Sequence, residues 1–167
     1  MTSYLNAAKL PLAAKLLGID GSADYNSRTA DKFQLRLTPE LHKAGRVLAR
    51  EQLRSFNSEL IAAILSGLDG HAHLAGMLAL TKAQLGSRAD EVLSTVTLHD
   101  PSQTELFGTA KYILRFPESI REAVMNIAGD EGTSMNRWIN DQTLIWLNLN
   151  KQLSALLDAY VEQTRAS

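Results

Sequence analysis

Three residues at alternate positions, Lys32, Gln34 and Arg36, bring two cations and an amide to one side of a short segment, and Lys111, Ile113 and Arg115 repeat the spacing further on. Side chains of these types bind anions and hydrogen-bond acceptors and carry out no bond-making chemistry. The groups that could do such chemistry are scattered. His71 and His73 follow Asp69 in a His-x-His arrangement, but in an Asp-Gly turn without further spaced ligands they read as solvated residues rather than a metal site. His42 and His99 are isolated. Glu118 with Glu122, and Asp130 with Glu131, fall on a helix surface or its end, where solvation accounts for them better than paired acid and base chemistry. The chain has no cysteine, so thiolate catalysis, Cys-ligated zinc and disulfides are excluded. No phosphate-cradling glycine loop or nucleophile elbow occurs. The expectation is a non-enzyme with no metal, no cofactor and no small-molecule substrate.

The elements that hold the alternating residues recur at an offset of 79 positions, which lays Lys32 to Leu37 over Lys111 to Phe116 without a gap. Leu41, Ala44, Leu48 and Ala49 then fall on Ile120, Ala123, Ile127 and Ala128, and Ser55, Asn57, Leu60 and Leu65 fall on Ser134, Asn136, Ile139 and Leu144. We read this as a duplication. Each copy starts with a period-2 strand, with Phe33, Leu35 and Leu37, or Tyr112, Leu114 and Phe116, directed inward. Thr38-Pro39-Glu40 reads as a capped helix start, Pro117-Glu118 marks the same boundary, and Gly129 and Gly132 help close the second of these helices. Leu41, Ala44, Val47 and Leu48 give the first helix its apolar stripe. Ser55 and Ser134 are N-cap candidates for a further helix, so the order is strand, helix, turn, helix.

These spans divide the chain into an N-terminal segment 1–27, a first unit 28–68, a linker with short helices 69–107, and a second unit 108–167 with a long last helix. Leu10, Leu12 and Leu16 suggest a short helix in the first segment. In the last helix, Ile139, Gln142, Trp146, Leu149, Leu153, Leu156 and Tyr160 follow steps of three and four. That spacing allows either self-association through a 139–160 seam or packing on its own domain.

The segment from Ser27 to Leu37, followed by Arg54-Ser55-Phe56-Asn57-Ser58-Glu59-Leu60, resembles the Arc family of ribbon-helix-helix DNA-binding proteins, the group of the phage Arc and Mnt repressors. The second copy is similar through Tyr112 to Glu118 and Gly132 to Ile139. The resemblance implies a mainly α fold with two ribbon-helix-helix (β-α-α) units. Their strands would pair into an antiparallel ribbon, with extra helices and a long C-terminal helix outside them. It further implies a ribbon that enters the major groove of double-stranded DNA, with base readout by Lys32, Gln34, Arg36, Lys111, Ile113 and Arg115. Phosphates would be held at the start of the second helix of each unit, at Ser55, Phe56 and Asn57 and at Ser134, Met135 and Asn136.

Charge favours the first copy for this work. From Arg28 to Leu68 the basic residues (Arg28, Lys32, Arg36, Lys43, Arg46, Arg50, Arg54) outnumber the acidic ones (Asp31, Glu40, Glu51, Glu59) by 3. From Gly108 to Asn150 the balance is −1 (Lys111, Arg115, Arg121, Arg137 against Glu118, Glu122, Asp130, Glu131, Asp141). The whole chain, at 167 residues with a net charge of −1 and 45% hydrophobic residues, is globular in composition and lacks an apolar run long enough to span a membrane. A cytoplasmic, nucleoid-associated repressor of phage, plasmid or bacterial origin is the expected function. The alternatives are a relaxosome accessory protein, an antitoxin, or a protein-interaction scaffold whose second copy no longer reads DNA. Whether the two strands pair within one chain or between chains is left open by the sequence, with a slight preference for pairing within it.

Overall fold

The computed structural model describes residues 30–102 and 110–166. The expected helix near Leu12, together with Arg28, lies outside the described residues. The first strand, β1 (Asp31–Leu37), leads into α1 (Pro39–Glu51) and α2 (Phe56–Leu68); α3 (Ala72–Leu85) and α4 (Arg88–Ser94) follow; β2 (Ala110–Phe116), α5 (Glu118–Asp130) and α6 (Met135–Ala166) complete the order. Among the described residues there is one two-stranded sheet, and both strands come from the same chain. They run antiparallel, with Lys32 opposite Arg115, Gln34 opposite Ile113 and Arg36 opposite Lys111. Each copy contributes one strand to this single ribbon, as expected, and among the described residues a second ribbon-helix-helix unit standing by itself is not evident.

Period-2 alternation fixes the two faces of this ribbon. Leu35, Leu37, Leu114 and Phe116 are fully buried, and with Leu41, Leu60, Ile64, Ile120, Val124, Trp138 and Ile139 they form the main core. A two-stranded ribbon is not stable alone in water, and here α1, α2, α5 and the first half of α6 cover its apolar side. The helix starts follow local chemistry: Thr38 Oγ1 accepts from the Leu41 amide with Pro39 at the first helical position, and Ser55 Oγ accepts from the Ser58 amide at 3.1 Å. The turns after α1 and α5 have the same geometry. Leu53 and Gly132 each adopt a positive φ, and in both turns the amide two residues after the C-cap reaches back to a carbonyl five residues earlier. Gly129 lies inside α5 without a positive φ, and its carbonyl accepts from the Gly132 amide at 3.1 Å in the same closure.

Three expectations change. Val47, placed on the apolar stripe of the first helix, is exposed. The linker region is a second packed layer, in which Leu74, Leu78, Leu85 and Ala89 of α3 and α4 pack on Leu153, Leu156 and Ala159 of α6. This layer overturns the seam along α6 as a surface for self-association. Ile139, Leu153 and Leu156 are buried against the chain's own helices, since a helix about 48 Å long extends past one core and uses its remaining turns to build another.

Candidate nucleic-acid interface

The sequence-derived readout residues converge on one surface. Lys32, Gln34, Arg36, Lys111 and Ile113 are exposed on the outer face of the ribbon, and Arg115 is half-buried among them. Each end of this face carries one Lys and one Arg, with Lys32 beside Arg115 and Arg36 beside Lys111. Lys32, Arg36 and Lys111 make no ion pair among the described residues, so their charges are available to an anionic partner. Other cations of the second half are engaged: Arg121 bonds Asp31 at 2.8 Å and Arg137 bonds Asp141 at 2.8 Å.

The ribbon is held at both ends by asparagines that cross between the halves. The Asn57 amide donates to the Arg115 carbonyl and accepts from the Arg115 amide, both at 2.8 Å. Asn136 repeats this on Arg36, accepting from its amide at 2.8 Å and donating to its carbonyl at 3.2 Å. A strand at a sheet edge leaves backbone donors and acceptors unpaired, and a side-chain amide with one donor and one acceptor matches that edge. Asn140 also donates to the Arg36 carbonyl, at 2.9 Å. The helix of each half thereby grips the strand of the other, at the two positions that carry the outward arginines.

This geometry narrows what the residues expected at phosphates can offer. The Asn57 and Asn136 side chains are bonded to strand backbone, and Ser55 and Ser134 accept from the Ser58 and Arg137 amides as caps. Phe56 packs edge-on against Tyr112 with ring centroids 4.8 Å apart, and Met135 packs against the main core. What is left for an anion is the first-turn backbone amides other than those of Ser58 and Arg137, which the caps already occupy.

Two buried polar constellations were not evident from the sequence. Glu59 is 2% exposed and accepts from the Trp146 indole at 2.7 Å, with the Arg54 guanidinium 3.6 Å from its other oxygen. Arg54 lies five positions from Glu59, whereas Trp146, 87 residues away, has no local signal in the sequence. The second is His71, expected to be solvated but buried at the junction of α2 and α3 in a left-handed conformation with φ of 58°. Its Nδ1 bonds Ser66 Oγ at 2.8 Å and its Nε2 bonds Gln142 Oε1 at 3.0 Å. Because the Gln142 oxygen only accepts, Nε2 carries the proton and Nδ1 accepts from the serine hydroxyl. Burial pulls the His71 pKa below the ordinary imidazole value, against opposing contributions from Gln142 and Asp69, which agrees with a neutral ring. His73 is exposed, and among the described residues no cluster of three or more metal-ligating side chains occurs.

Trp138 is a core residue, whereas Trp146 is half-buried and bonded to Glu59, so neither presents an open face to a base. No helix among the described residues is long and apolar enough to cross a membrane.

Residues 27–74, which include β1, α1 and α2, match the family model described as Arc-like DNA binding domain, so this stretch is similar to DNA-binding ribbon-helix-helix proteins. The match covers one copy of the repeat. Comparisons with curated proteins and with solved structures find no match.

Proposed function

We propose that this protein binds double-stranded DNA sequence-specifically by laying the β1–β2 ribbon in the major groove, and that it acts as a transcriptional repressor on the bacterial, phage or plasmid nucleoid. The observation that carries the reading is the outer face of the ribbon, where four cations and a glutamine stand on alternate positions of two strands from one chain. A two-stranded ribbon has the width the major groove accepts, Arg and Lys suit the O6 and N7 of guanine, and Gln suits the N6 and N7 of adenine. The match of residues 27–74 supports the same reading. In it, the second half is a second ribbon-helix-helix unit from an ancestral duplication, and the chain is a dimer of such units folded into one polypeptide. The offset of 79 residues, the crossed asparagines and the two equivalent turns support this.

The test is selection from a random-duplex pool with purified protein, followed by binding at rising salt. The expected result is an enriched motif whose affinity falls steeply with salt. The Lys32→Ala/Gln34→Ala/Arg36→Ala variant should lose the motif while keeping its helical circular dichroism. Enrichment of no motif, or retention of the motif by that variant, overturns the proposal.

A further inference from the structure

We infer that the central cross-strand pair, Gln34 and Ile113, sets the direction in which the chain lies on its DNA site. The inference rests on the ribbon reading above and goes beyond it.

Residue 34 is opposite residue 113 in the ribbon, and the same two residues are equivalents in the repeat. The pseudo-twofold axis of the molecule therefore passes between them. Rotation about it brings Lys32 onto Lys111 and Arg36 onto Arg115, so the two ends of the outer face present the same residue types in the same places. The backbone under both arginines is held by the same amide clamp, Asn136 on one and Asn57 on the other. The ends of the readout surface are thus alike in chemistry and in their main support. The centre is the one readout position where the rotation exchanges unlike residues.

The exchange is between groups with opposite demands. Gln34 is exposed and offers a donor and an acceptor, the set that an adenine edge answers. Ile113, also exposed, can make only apolar contact, which a thymine methyl provides. A ribbon with matched ends calls for inverted-repeat flanks, and its unlike centre breaks that repeat at the middle. Phosphate contacts do not restore or remove this polarity, because they carry no sequence information directly. The chain then distinguishes the two orientations of its site by about one bidentate base contact, roughly 5- to 150-fold in affinity.

The experiment uses the full chain in the same random-duplex selection, with wild type, Ile113→Gln, and the exchanged double variant Gln34→Ile/Ile113→Gln. Orientation is read separately. Because the protein has no cysteine, Gln52→Cys, at an exposed position of the first half, gives a unique attachment point for an iron-EDTA cleavage reagent. The wild type should enrich a motif with inverted-repeat flanks and an asymmetric centre and should cut one flank. Ile113→Gln should enrich a fully inverted repeat and cut both flanks equally. The exchanged variant should enrich the wild-type motif and cut the opposite flank. Both substituted positions face outward, and a thermal melt verifies that each variant is folded.

A wild-type motif that is already a full inverted repeat overturns the inference while leaving the ribbon reading intact, as does an asymmetric centre retained by Ile113→Gln. If the wild type enriches nothing, the ribbon reading fails and the inference fails with it.

Discussion

The two halves of the molecule share a skeleton and differ in what fills it. Asn57 and Asn136 clamp equivalent strand positions, and the turns at Leu53 and Gly132 close with the same hydrogen bonds. Between these fixed points, volume is redistributed. Gly45 in α1 leaves room for the Phe56 ring, whose nearest atom would be 2.7 Å from an added Cβ; the equivalents in the second half are Val124 and Met135, a larger helix residue with a more flexible neighbour. Glu59 corresponds to Trp138, and Gly67 to Trp146. Since Trp146 donates to Glu59, the differences meet across the interface between halves and are complementary there. Shared polar clamps preserve the ribbon, while complementary fillings make each half fit the other better than a copy of itself. The pairing of β1 with β2, left open by the sequence, is accordingly one between unlike halves.

The strongest way to break this comparison is to remove the contact that exists in one direction only. Trp146→Phe keeps an aromatic ring, though a smaller one, and leaves the buried Glu59 carboxylate with the Arg54 guanidinium alone, 3.6 Å away. Leaving a buried charge without its hydrogen-bond donor costs about 3 kcal/mol, which urea denaturation should read as a lowered midpoint at unchanged slope. Replacing both partners, as Glu59→Leu/Trp146→Phe, should recover much of that loss, because no charge is then left buried. A double variant as unstable as the single one would show that the indole matters for its packing and not for its bond.

The clamps test the shared part. Asn57→Ala frees the amide and the carbonyl of Arg115, with a cost of about 1 to 3 kcal/mol. Asn136→Ala removes the equivalent bonds from Arg36, but Asn140 still donates to that carbonyl, so its cost should be the smaller of the two. Hydrogen exchange at the Arg115 and Arg36 amides, beside denaturation midpoints, checks the order. Equal losses would mean that Asn140 does not support the strand.

These asparagines also show where sequence reading stops. The Ser-x-Asn turns were legible because caps and strand alternation are local, and the period-2 pattern correctly placed all six outward residues on one face. The residues at the start of the second helices were located, but a helix N-terminus looks the same in sequence whether its side chains face a phosphate or a strand 58 positions away. The stripe on α6 carried the same ambiguity, because helical periodicity identifies a buried face and says nothing of what buries it. His71 was misread for a related reason. An Asp-Gly turn suggests solvent, whereas the Ser66 hydroxyl and the Gln142 amide, the latter arriving from α6, take the two ring nitrogens.

The smallest and sharpest comparison is between the two turns. Leu53 has φ of 55° and its side chain is 94% exposed, so it takes on the strain of a left-handed backbone without burying its apolar surface. Gly132 holds the equivalent position with φ of 67°, where an added Cβ would meet nothing within 4 Å. Strain of this kind costs an L residue about 1 to 2 kcal/mol, and glycine avoids it at the expense of a more flexible unfolded chain. Leu53→Gly should therefore raise stability by about 0.5 to 1 kcal/mol, while Gly132→Ala should lower it by about 1 kcal/mol, since the surroundings are open and strain alone is left. Thermal melts of the two variants should move in opposite directions by a few degrees. If Leu53→Gly destabilises instead, the leucine makes a favourable contact that its exposure conceals, and the two turns are alike only in their hydrogen bonds.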